Sequence, residues 1–187
     1  MKRNDFKIFK SIPTLNTKRL VLRKILISDL DDVFEYASDP AVSEYLTWYS
    51  HKTLEHTKSY LKYLQKLYRK GKFYDWGIEI NGKMIGTVGF TSINLKDNSA
   101  EVGYVINRRF WGNGIAVEAV NKILNFGFCV LKLDKIFARI ISENNRSAAV
   151  LFKCNFRENN NCEDMIIKGL HKKVYSFSID KELYFKE

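Results

Sequence analysis

The sequence predicts an α/β (α+β) fold with a mixed, mostly antiparallel central sheet and helices on both faces. The first observation behind this prediction is the dipeptide Asn81-Gly82 between two strand-like runs, which is typical of a type I′ hairpin turn. The second is a strand-like run (100–106) that leads through an amphipathic run (115–131) to an apolar run (135–141), the pattern of a β-α-β crossover. Because an antiparallel front half feeds a single crossover, the sheet is expected to be mixed.

The first half of the chain alternates strands with helices. Ser28 predicts a helix start, since a serine followed by acids in the first turn caps a helix. Pro40 predicts that this helix ends by Asp39, because proline disfavours helical geometry just before it, and Gly71 predicts the end of the next helix. In chain order, the predicted elements are a strand (19–25), two helices (28–39 and 53–69) and two hairpin strands (73–80 and 83–91).

The second half alternates in the same way and ends in two strands. In chain order, its predicted elements are a strand (100–106), a helix (115–131), a strand (135–141), a helix (144–153) and two strands around a turn near Gly169. No repeat or linker composition interrupts this order. We therefore expect a single domain over residues 14–187, preceded by an N-terminal extension over residues 1–13.

The composition is that of an ordinary globular protein with a basic surface. The 187 residues include 31 Lys and Arg against 21 Asp and Glu, a net charge of +10. The lysines are scattered and densest between Lys52 and Lys72, where they are typical of a solvated helix face, so we expect no direct nucleic-acid partner. No apolar run approaches the roughly 18 residues that cross a bilayer, and no membrane partner is expected. The three cysteines lack metal-ligand spacing, which predicts free thiols in a cytoplasmic protein and no metal site.

The segment 109–116, Arg-Phe-Trp-Gly-Asn-Gly-Ile-Ala, is the most informative motif. It lies between a predicted strand and a predicted helix, and its two glycines allow a tight turn with uncovered backbone N–H groups. Unpaired N–H groups and the helix dipole both favour an anion at a helix N-terminus, and Arg109 adds a positive charge beside it. The segment therefore predicts a site for a phosphorylated ligand.

Two common nucleotide-binding loops do not match this segment. A dinucleotide-binding loop needs a third glycine where this chain has Val117, and it lies near the start of an alternating β-α-β array. A P-loop ends in Gly-Lys-Ser/Thr, whereas this chain has Gly114-Ile115-Ala116. Both interpretations are disfavoured.

The loop and its surroundings resemble the GCN5-related N-acetyltransferases, whose acetyl-coenzyme A loop has the pattern Arg/Gln-x-x-Gly-x-Gly/Ala. The form found here is similar to that of the RimJ/RimL-type ribosomal-protein N-terminal acetyltransferases. The resemblance runs from about Leu15 to Ile179. One departure is Cys154-Asn155-Phe156, where the family commonly has Gly-Phe; asparagine also tolerates a left-handed helix stop. Besides the loop, the matching segments are Arg19-Leu20-Val21-Leu22-Arg23, Ile85-Gly86-Thr87-Val88-Gly89, Ala100 to Ile106, Glu143-Asn144-Asn145-Arg146-Ser147 and Val174-Tyr175-Ser176.

The resemblance implies acetyl-coenzyme A as the cofactor and gives it a site. The strand that carries Val105 and Ile106 is expected to splay from its neighbour and to pair with the pantetheine arm, while the loop N–H groups hold the pyrophosphate. The resemblance also implies that Asn144 hydrogen-bonds the pantetheine and that Ser147 lies near the thioester sulfur or the phosphopantetheine, although both residue types also cap helices for structural reasons. The loop residues implied are Arg109, Phe110, Trp111, Gly112, Asn113, Gly114, Ile115 and Ala116.

Glu101 and Ser147 are the candidate catalytic residues. Glu101 is the candidate general base, directly or through water, because the corresponding acid in similar enzymes faces the acceptor; the alternative is a salt-bridged strand residue. Ser147 is the candidate proton donor to the leaving sulfur, with Tyr104 as the alternative. A backbone N–H of the Val105 strand is expected to polarise the thioester carbonyl.

The acceptor site is expected between the first two helices, the loop that joins them and the C-terminal hairpin. Tyr45, Trp48 and Tyr49 form an aromatic cluster that is a candidate lining of this site, and the alternative is that they are simple core.

These observations predict an acetyl-coenzyme A-dependent N-acetyltransferase that acts on a primary amine, foremost the α-amine of a protein N-terminus of the ribosomal type. The alternatives are an acetyltransferase of a small amine, such as a polyamine or an aminoglycoside, and a non-catalytic acyl-coenzyme A-binding module. The expected partners are acetyl-coenzyme A and the amine acceptor, with the N-terminus of a ribosomal or other protein as the candidate acceptor. The sequence does not indicate an oligomeric state; analogy favours a homodimer.

Overall fold

The computed structural model describes residues 12–186, which contain one eight-stranded sheet flanked by helices. Most of the predicted extension 1–13 lies outside the described residues; its last residue, Pro13, accepts a hydrogen bond from the Trp76 indole. The strands are β1 (Leu15–Asn16), β2 (Val21–Arg23), β3 (Tyr74–Ile80), β4 (Lys83–Asn94), β5 (Ser99–Ile106), β6 (Lys135–Ile141), β7 (Arg157–Ile167) and β8 (Leu170–Asp180). The helices are α1 (Leu30–Ala37), α2 (Pro40–Ser43), α3 (Leu54–Arg69), α4 (Ile115–Asn125), α5 (Asn145–Lys153) and α6 (Lys181–Tyr184).

The described strands lie side by side in the order β1-β2-β3-β4-β5-β6-β8-β7. Neighbours are antiparallel except β5 and β6, which run parallel and are joined by the crossover through α4. The predicted mixed, mostly antiparallel sheet is therefore confirmed.

Two buried clusters hold helices to the sheet. On one face, Ala119, Val120 and Ile123 of α4 are fully buried in a cluster with apolar residues of β3 to β6. The other cluster is formed by α1 and α3, with Val33 and Leu61 among its buried residues. The sheet thus has helices on both faces, as the sequence predicts.

Turn and cap residues determine where the strands and helices that carry the site begin and end. Asn81 and Gly82 both have positive φ (49° and 78°), as a type I′ turn requires, so β3 and β4 pair in a defined register. The Asn144 side chain accepts the N–H of Ser147 at 3.1 Å and so caps α5. Asn155, with φ 62°, adopts the left-handed conformation that ends the same helix.

Two local predictions were wrong. Ser28 does not cap α1, because it lies within a short 3-10 turn (Ile27–Asp29) in which the Asp29 carboxylate accepts the N–H of Leu26 at 2.7 Å. The helix expected over 115–131 is α4 followed by a π-helical turn (Phe126–Val130). Within that turn Gly127 has no room for a side chain, since a Cβ there would lie 2.6 Å from Ile136 Cδ1.

Candidate active site

The parallel strands β5 and β6 separate soon after they begin to pair. They are in register only over Ser99–Glu101 and residues 135–137. Beyond Glu101, β5 pairs only with β4 and β6 pairs only with β8. The sheet therefore opens along one edge of β5, at the end that carries Val105 and Ile106.

The glycine loop lies at the mouth of this opening and precedes α4. Gly112 and Gly114 both have positive φ (79° and 71°), and a Cβ on Gly112 would meet nothing within 4 Å. Gly114 is the N-cap of α4 and provides no side-chain cap, so the first N–H groups of the helix have no partner within the helix. Open space, uncovered N–H groups and the positive end of the helix dipole together make an anion site.

Arg19 fixes the outer side of this loop. Its guanidinium donates to the backbone oxygen of Asn113 at 2.9 Å and pairs with Glu118 in the first turn of α4 at 2.6 Å. The Asn113 side chain in turn donates to the carbonyl oxygens of Phe110 and Trp111. Asn113 thus shapes the loop from outside.

The Arg109 side chain is placed differently from the sequence prediction. Its guanidinium points to Glu35 at 3.3 Å and does not line the opening. Lys83, Asn107 and Arg109 all donate to Glu35, and these hydrogen bonds, that from Lys83 foremost, lower the pKa of Glu35 to about 2. An acid held this firmly in its charged form retains Arg109 away from the loop.

Arg146 supplies the positive charge on the inner side. It lies at the start of α5 with its guanidinium carbon 4.2 Å from the centre of the Trp111 ring, a cation–π contact, and it lines the opening. The Trp111 indole is itself fixed by a hydrogen bond of 2.8 Å to the Ile106 oxygen. Sequence reasoning missed this role of Arg146, because it depends on how α5 packs beside the loop.

A single cleft of about 1340 Å³ runs from the loop past the splayed strands to the α1 side of the sheet. Its cradle half is lined by residues 110–112 and 114–117 with Asn144, Arg146 and Ser147, and its aromatic half by Tyr36, Tyr45, Trp48, Tyr49, Tyr60 and Asp75. Of the predicted site residues, Arg109 and Asn113 do not line it. Those that do are Tyr45, Trp48, Tyr49, Glu101, Val105, Ile106, Phe110, Trp111, Gly112, Gly114, Ile115, Ala116, Asn144 and Ser147.

Ser147 and Tyr104 form a pair where the two halves meet. The Tyr104 hydroxyl lies 2.8 Å from Ser147 Oγ and 3.1 Å from the Ser147 backbone oxygen. Burial raises the pKa of Tyr104 well above its ordinary value, so its hydroxyl keeps its proton. The pair therefore holds exchangeable protons next to the free edge of β5.

Glu101 lies at the same junction but is engaged. Its two carboxylate oxygens accept from Arg139 at 2.9 and 3.1 Å, a bidentate ion pair across the parallel strands. Both carboxylate oxygens are therefore occupied by the Arg139 guanidinium, in the fork geometry that bidentate pairs prefer. The salt-bridged strand residue, which the sequence left open as an alternative, is the arrangement found.

The aromatic half is not simple core. Tyr45 and Trp48 are half-buried and Tyr49 is 65% exposed, and all three line the cleft. The Tyr49 hydroxyl donates to the Lys168 oxygen at 3.3 Å, so the tip of the β7–β8 hairpin contacts the rim. The hairpin itself does not line the cleft, which corrects one part of the predicted acceptor site.

Asp75 lines the aromatic half and was missed by sequence reasoning. It lies on β3, its Oδ1 is shielded from solvent, and no hydrogen-bond partner for that atom exists among the described residues. Burial raises its pKa to about 7. The available signal was an acid between two aromatic residues of a hairpin strand, Tyr74 and Trp76.

The fold and the cleft define a two-substrate transferase with an anion-binding site for one substrate beside a splayed strand. The chain belongs to the GNAT acetyltransferase family: residues 19–157 match the model of the acetyltransferase (GNAT) domain. It is an N-acetyltransferase whose acetyl donor is acetyl-coenzyme A.

Three similar proteins illustrate the range of the family. The chain is 33% identical over 174 residues to an uncharacterized N-acetyltransferase p20 of Bacillus licheniformis, covering 91% of this chain and 98% of that one. It is 29% identical over 102 residues to a spermidine N(1)-acetyltransferase of Vibrio cholerae, covering 54% of this chain and 59% of the relative. It shares its fold with RimL, the ribosomal L7/L12 alpha-N-protein acetyltransferase in complex with coenzyme A, at a TM-score of 0.79 and 18% identity, over 91% and 99% of the two chains. No helix in residues 12–186 is long and apolar enough to span a membrane.

Proposed function

We propose that the protein transfers the acetyl group of acetyl-coenzyme A to the α-amine of a protein N-terminus. The observation that carries the proposal is the charge of the aromatic half of the cleft. Among the described lining residues there are two acids, Asp75 and Glu101, and Glu101 is neutralised by Arg139. One unpaired carboxylate among aromatic rings suits an acceptor with a single positive charge near the reacting nitrogen, as at a peptide N-terminus.

The cradle half fits the donor. Gly112 leaves space that a side chain would fill, and the free N–H groups at the start of α4 suit a pyrophosphate. The free edge of β5 offers backbone groups to the pantetheine amides, as a neighbouring strand would. Asn144 and Arg146 border the same path. When bound, acetyl-coenzyme A supplies an activated acyl group whose carbonyl carbon accepts an amine nitrogen.

The junction residues serve the leaving sulfur and the carbonyl oxygen. In this proposal a backbone N–H of the Val105 strand polarises the thioester carbonyl, in the manner of an oxyanion hole. Ser147, hydrogen-bonded to Tyr104, donates the proton that the sulfur needs as it leaves. Holding both substrates in one cleft supplies much of the rate.

The rim of the aromatic half favours a macromolecular acceptor. Tyr49, Ile166 and Leu170 are all large apolar residues more than 60% exposed, and Tyr49 contacts the hairpin tip that carries the other two. Such a surface beside a cleft mouth suits the apolar side chains of a peptide. A polyamine carries several charges, and the described lining offers it a single unpaired acid.

The proposal also places the protein in the cytoplasm, where acetyl-coenzyme A and nascent protein N-termini meet. Its three cysteines, all free, support a reducing compartment. A homodimer remains the arrangement that analogy favours.

A matched set of acceptors tests the proposal. One peptide has a free α-amine on Ala or Ser and no lysine, and its partner has a blocked N-terminus and one lysine; spermidine and an aminoglycoside complete the set. We expect thiol release with the first peptide, and mass spectrometry that places the acetyl group on its α-amine. Turnover of spermidine with none of either peptide would contradict the proposal.

The non-catalytic alternative is tested in the same samples. Calorimetry measures the binding of coenzyme A, and thiol release measures turnover. Tight binding without release for any acceptor would identify an acyl-coenzyme A-binding module, whereas release that depends on the acceptor excludes it.

A further inference from the structure

We propose that Asp75 binds the ammonium group of the acceptor and takes its proton, so that this carboxylate, and not Glu101, is the proton acceptor in the reaction. The proposal rests on the proposed function only in requiring an amine acceptor in the aromatic half of the cleft. It holds for a peptide N-terminus and for a small amine alike.

The first support is the unmet hydrogen-bonding capacity of Asp75. Its Oδ1 is buried and has no partner among the described residues, although the residue lines a cleft. Burying an unpaired carboxylate opposes folding, and an unsatisfied buried polar group in a cleft is explained by a ligand that pairs with it. Glu101, the other lining acid, already accepts two hydrogen bonds from Arg139.

The second support is a row of paired glycines beside Asp75. Asp75 pairs across the strands with Gly89 on β4, and Gly89 pairs with Gly103 on β5. A Cβ at Gly89 would collide with Asp75 Oδ1, so the carboxylate lies against this glycine, where a side chain would displace it.

The two glycines lie between the carboxylate and the free edge of β5. Gly103 lies two residues beyond Glu101, where β5 and β6 separate, and the methyl group of Thr91 lies 2.7 Å from where its Cβ would be. An amine nitrogen held at Asp75 Oδ1 is therefore on the side of the sheet that leads, across Gly89, to the strand that holds the thioester in the proposed function.

The surroundings of Asp75 suit a cation. The titratable groups that face it are Tyr36 from α1 and Tyr60 and Tyr68 from α3, all of which burial keeps protonated by raising their pKa values. His51 and His56 line the same half, and burial lowers the pKa of His51. Aromatic rings and an unpaired carboxylate together attract an ammonium group.

The acid–base properties match the reaction. Burial raises the pKa of Asp75 to about 7, and the α-amine of a peptide has a pKa of about 8. Proton transfer between groups of such similar pKa has little cost in either direction.

The protons balance as follows in the proposed step. Asp75 takes one proton from the ammonium group, and the neutral nitrogen forms the C–N bond with the thioester carbonyl carbon as the C–S bond breaks. The sulfur takes the proton of Ser147 and departs as a thiol, the second proton of the amine restores that of Ser147, and the third stays on the amide nitrogen. Asp75 then gives its proton to water in the cleft.

The variant Asp75→Asn tests the proposal, because it keeps the shape and removes the charge. We expect kcat/KM for the acceptor to fall about 100-fold, in the range of lost general bases. The matched control is Asp97→Asn, at an exposed turn between β4 and β5, for which we expect wild-type rates. A fall of less than 3-fold in Asp75→Asn would overturn the proposal.

The pH profile separates a base from a merely structural residue. The wild-type kcat/KM should rise through about pH 7, as Asp75 loses its proton, and fall through about pH 8, as the amine does. In Asp75→Asn the rise should move to about pH 8, because only the amine then titrates. An unmoved profile would contradict a role for Asp75.

Two measurements without turnover complete the test. Calorimetry with coenzyme A and an acceptor peptide should show coenzyme A affinity unchanged in Asp75→Asn and peptide affinity at least 10-fold weaker. Carbon-13 NMR should show a carboxyl signal that titrates near pH 7 and is missing from the variant. A signal that titrates near pH 4 would overturn the proposal.

Failure of this proposal is distinguishable from failure of the proposed function. If the acceptor is a small amine, the peptide set fails while Asp75→Asn still loses activity towards that amine. If Asp75 plays no part, peptides are acetylated equally by wild type and variant.

Discussion

The cradle half of the cleft depends foremost on backbone groups of one contiguous segment, whereas the aromatic half is made of side chains from several separate segments. The loop before α4 supplies the cradle with N–H groups and two glycines of positive φ, to which the start of α5 adds Asn144 and Arg146. The aromatic half brings together α1, α3, the loop 44–51 and β3. A ligand common to a family is held by features that any side chain would disturb, while the ligand that differs is met by side chains that are free to vary.

The largest effect that we predict is a loss of coenzyme A affinity caused by a substitution in the cradle half alone. Gly112 and Gly169 share a φ of 79°, and a Cβ on either would meet nothing within 4 Å. Gly112→Asp places a negative charge where the pyrophosphate is expected, so we predict at least 100-fold weaker coenzyme A binding, about 2.7 kcal/mol. Calorimetry measures the affinity.

Gly169→Asp is the matched control, since the backbone strain is the same and the charge lies at the β7–β8 turn. Its coenzyme A affinity should equal that of wild type. Equal losses in both variants would mean that strain, and not the cradle, is being measured.

The second effect concerns Asp75 in the aromatic half and is a change in folding stability with pH. The pKa of Asp75 is raised in the folded state to about 7, above its ordinary value near 4, so folding favours the protonated form. Its favourable contribution is complete below about pH 4, is lost as the pH rises through about 7, and does not change further above that.

Denaturant unfolding at several pH values checks this sign. We predict that Asp75→Asn gains stability over wild type between pH 4 and 7, by about 4 kcal/mol at the plateau. Asp97→Asn should show no such gain. If the difference in the free energy of unfolding between wild type and Asp75→Asn does not change with pH, Asp75 is solvated. The aromatic half then lacks the buried acid proposed for it.

The contrast between the two halves also explains which features of the site could be predicted from the sequence and which could not. The glycine pair, the Asn81-Gly82 turn and the Asn144 cap act through local backbone geometry, so a contiguous motif was enough to predict them. Asp75 becomes significant only because Gly89 and Gly103 lie opposite it on two other strands. That alignment depends on strand register.

The partners of two charged residues also could not be predicted from the sequence. Arg109 follows the loop pattern but pairs with Glu35, 74 positions away in the sequence. Arg139 lies on β6, and its pairing with Glu101 exists only because the two strands are parallel neighbours at that point. Charge pairs that form across the sheet cannot be predicted from spacing along the chain.

A smaller effect is predicted where the two halves meet. Tyr104→Phe and Ser147→Ala each remove one hydroxyl of the pair that serves the leaving sulfur. We expect kcat to fall about 10-fold in each, with the double variant no slower than the slower single variant, because the two hydroxyls act as one unit. Steady-state kinetics with the best acceptor measures this, with Tyr63→Phe on the exposed face of α3 as the control. If the two losses in kcat multiply in the double variant, the two hydroxyls act independently.

The smallest effect is expected at Glu101, the residue that the sequence favoured as the base. Because its carboxylate is held by Arg139 at 2.9 and 3.1 Å, it is poorly placed to take a proton from an amine. Glu101→Gln should therefore lower kcat/KM by no more than about 3-fold and leave the rise near pH 7 in place. Arg139→Lys, which keeps the charge and removes the bidentate geometry, should behave in the same way. If Glu101→Gln abolishes the rise near pH 7 while Asp75→Asn retains it, the proton acceptor belongs to the junction, and the aromatic half serves binding alone.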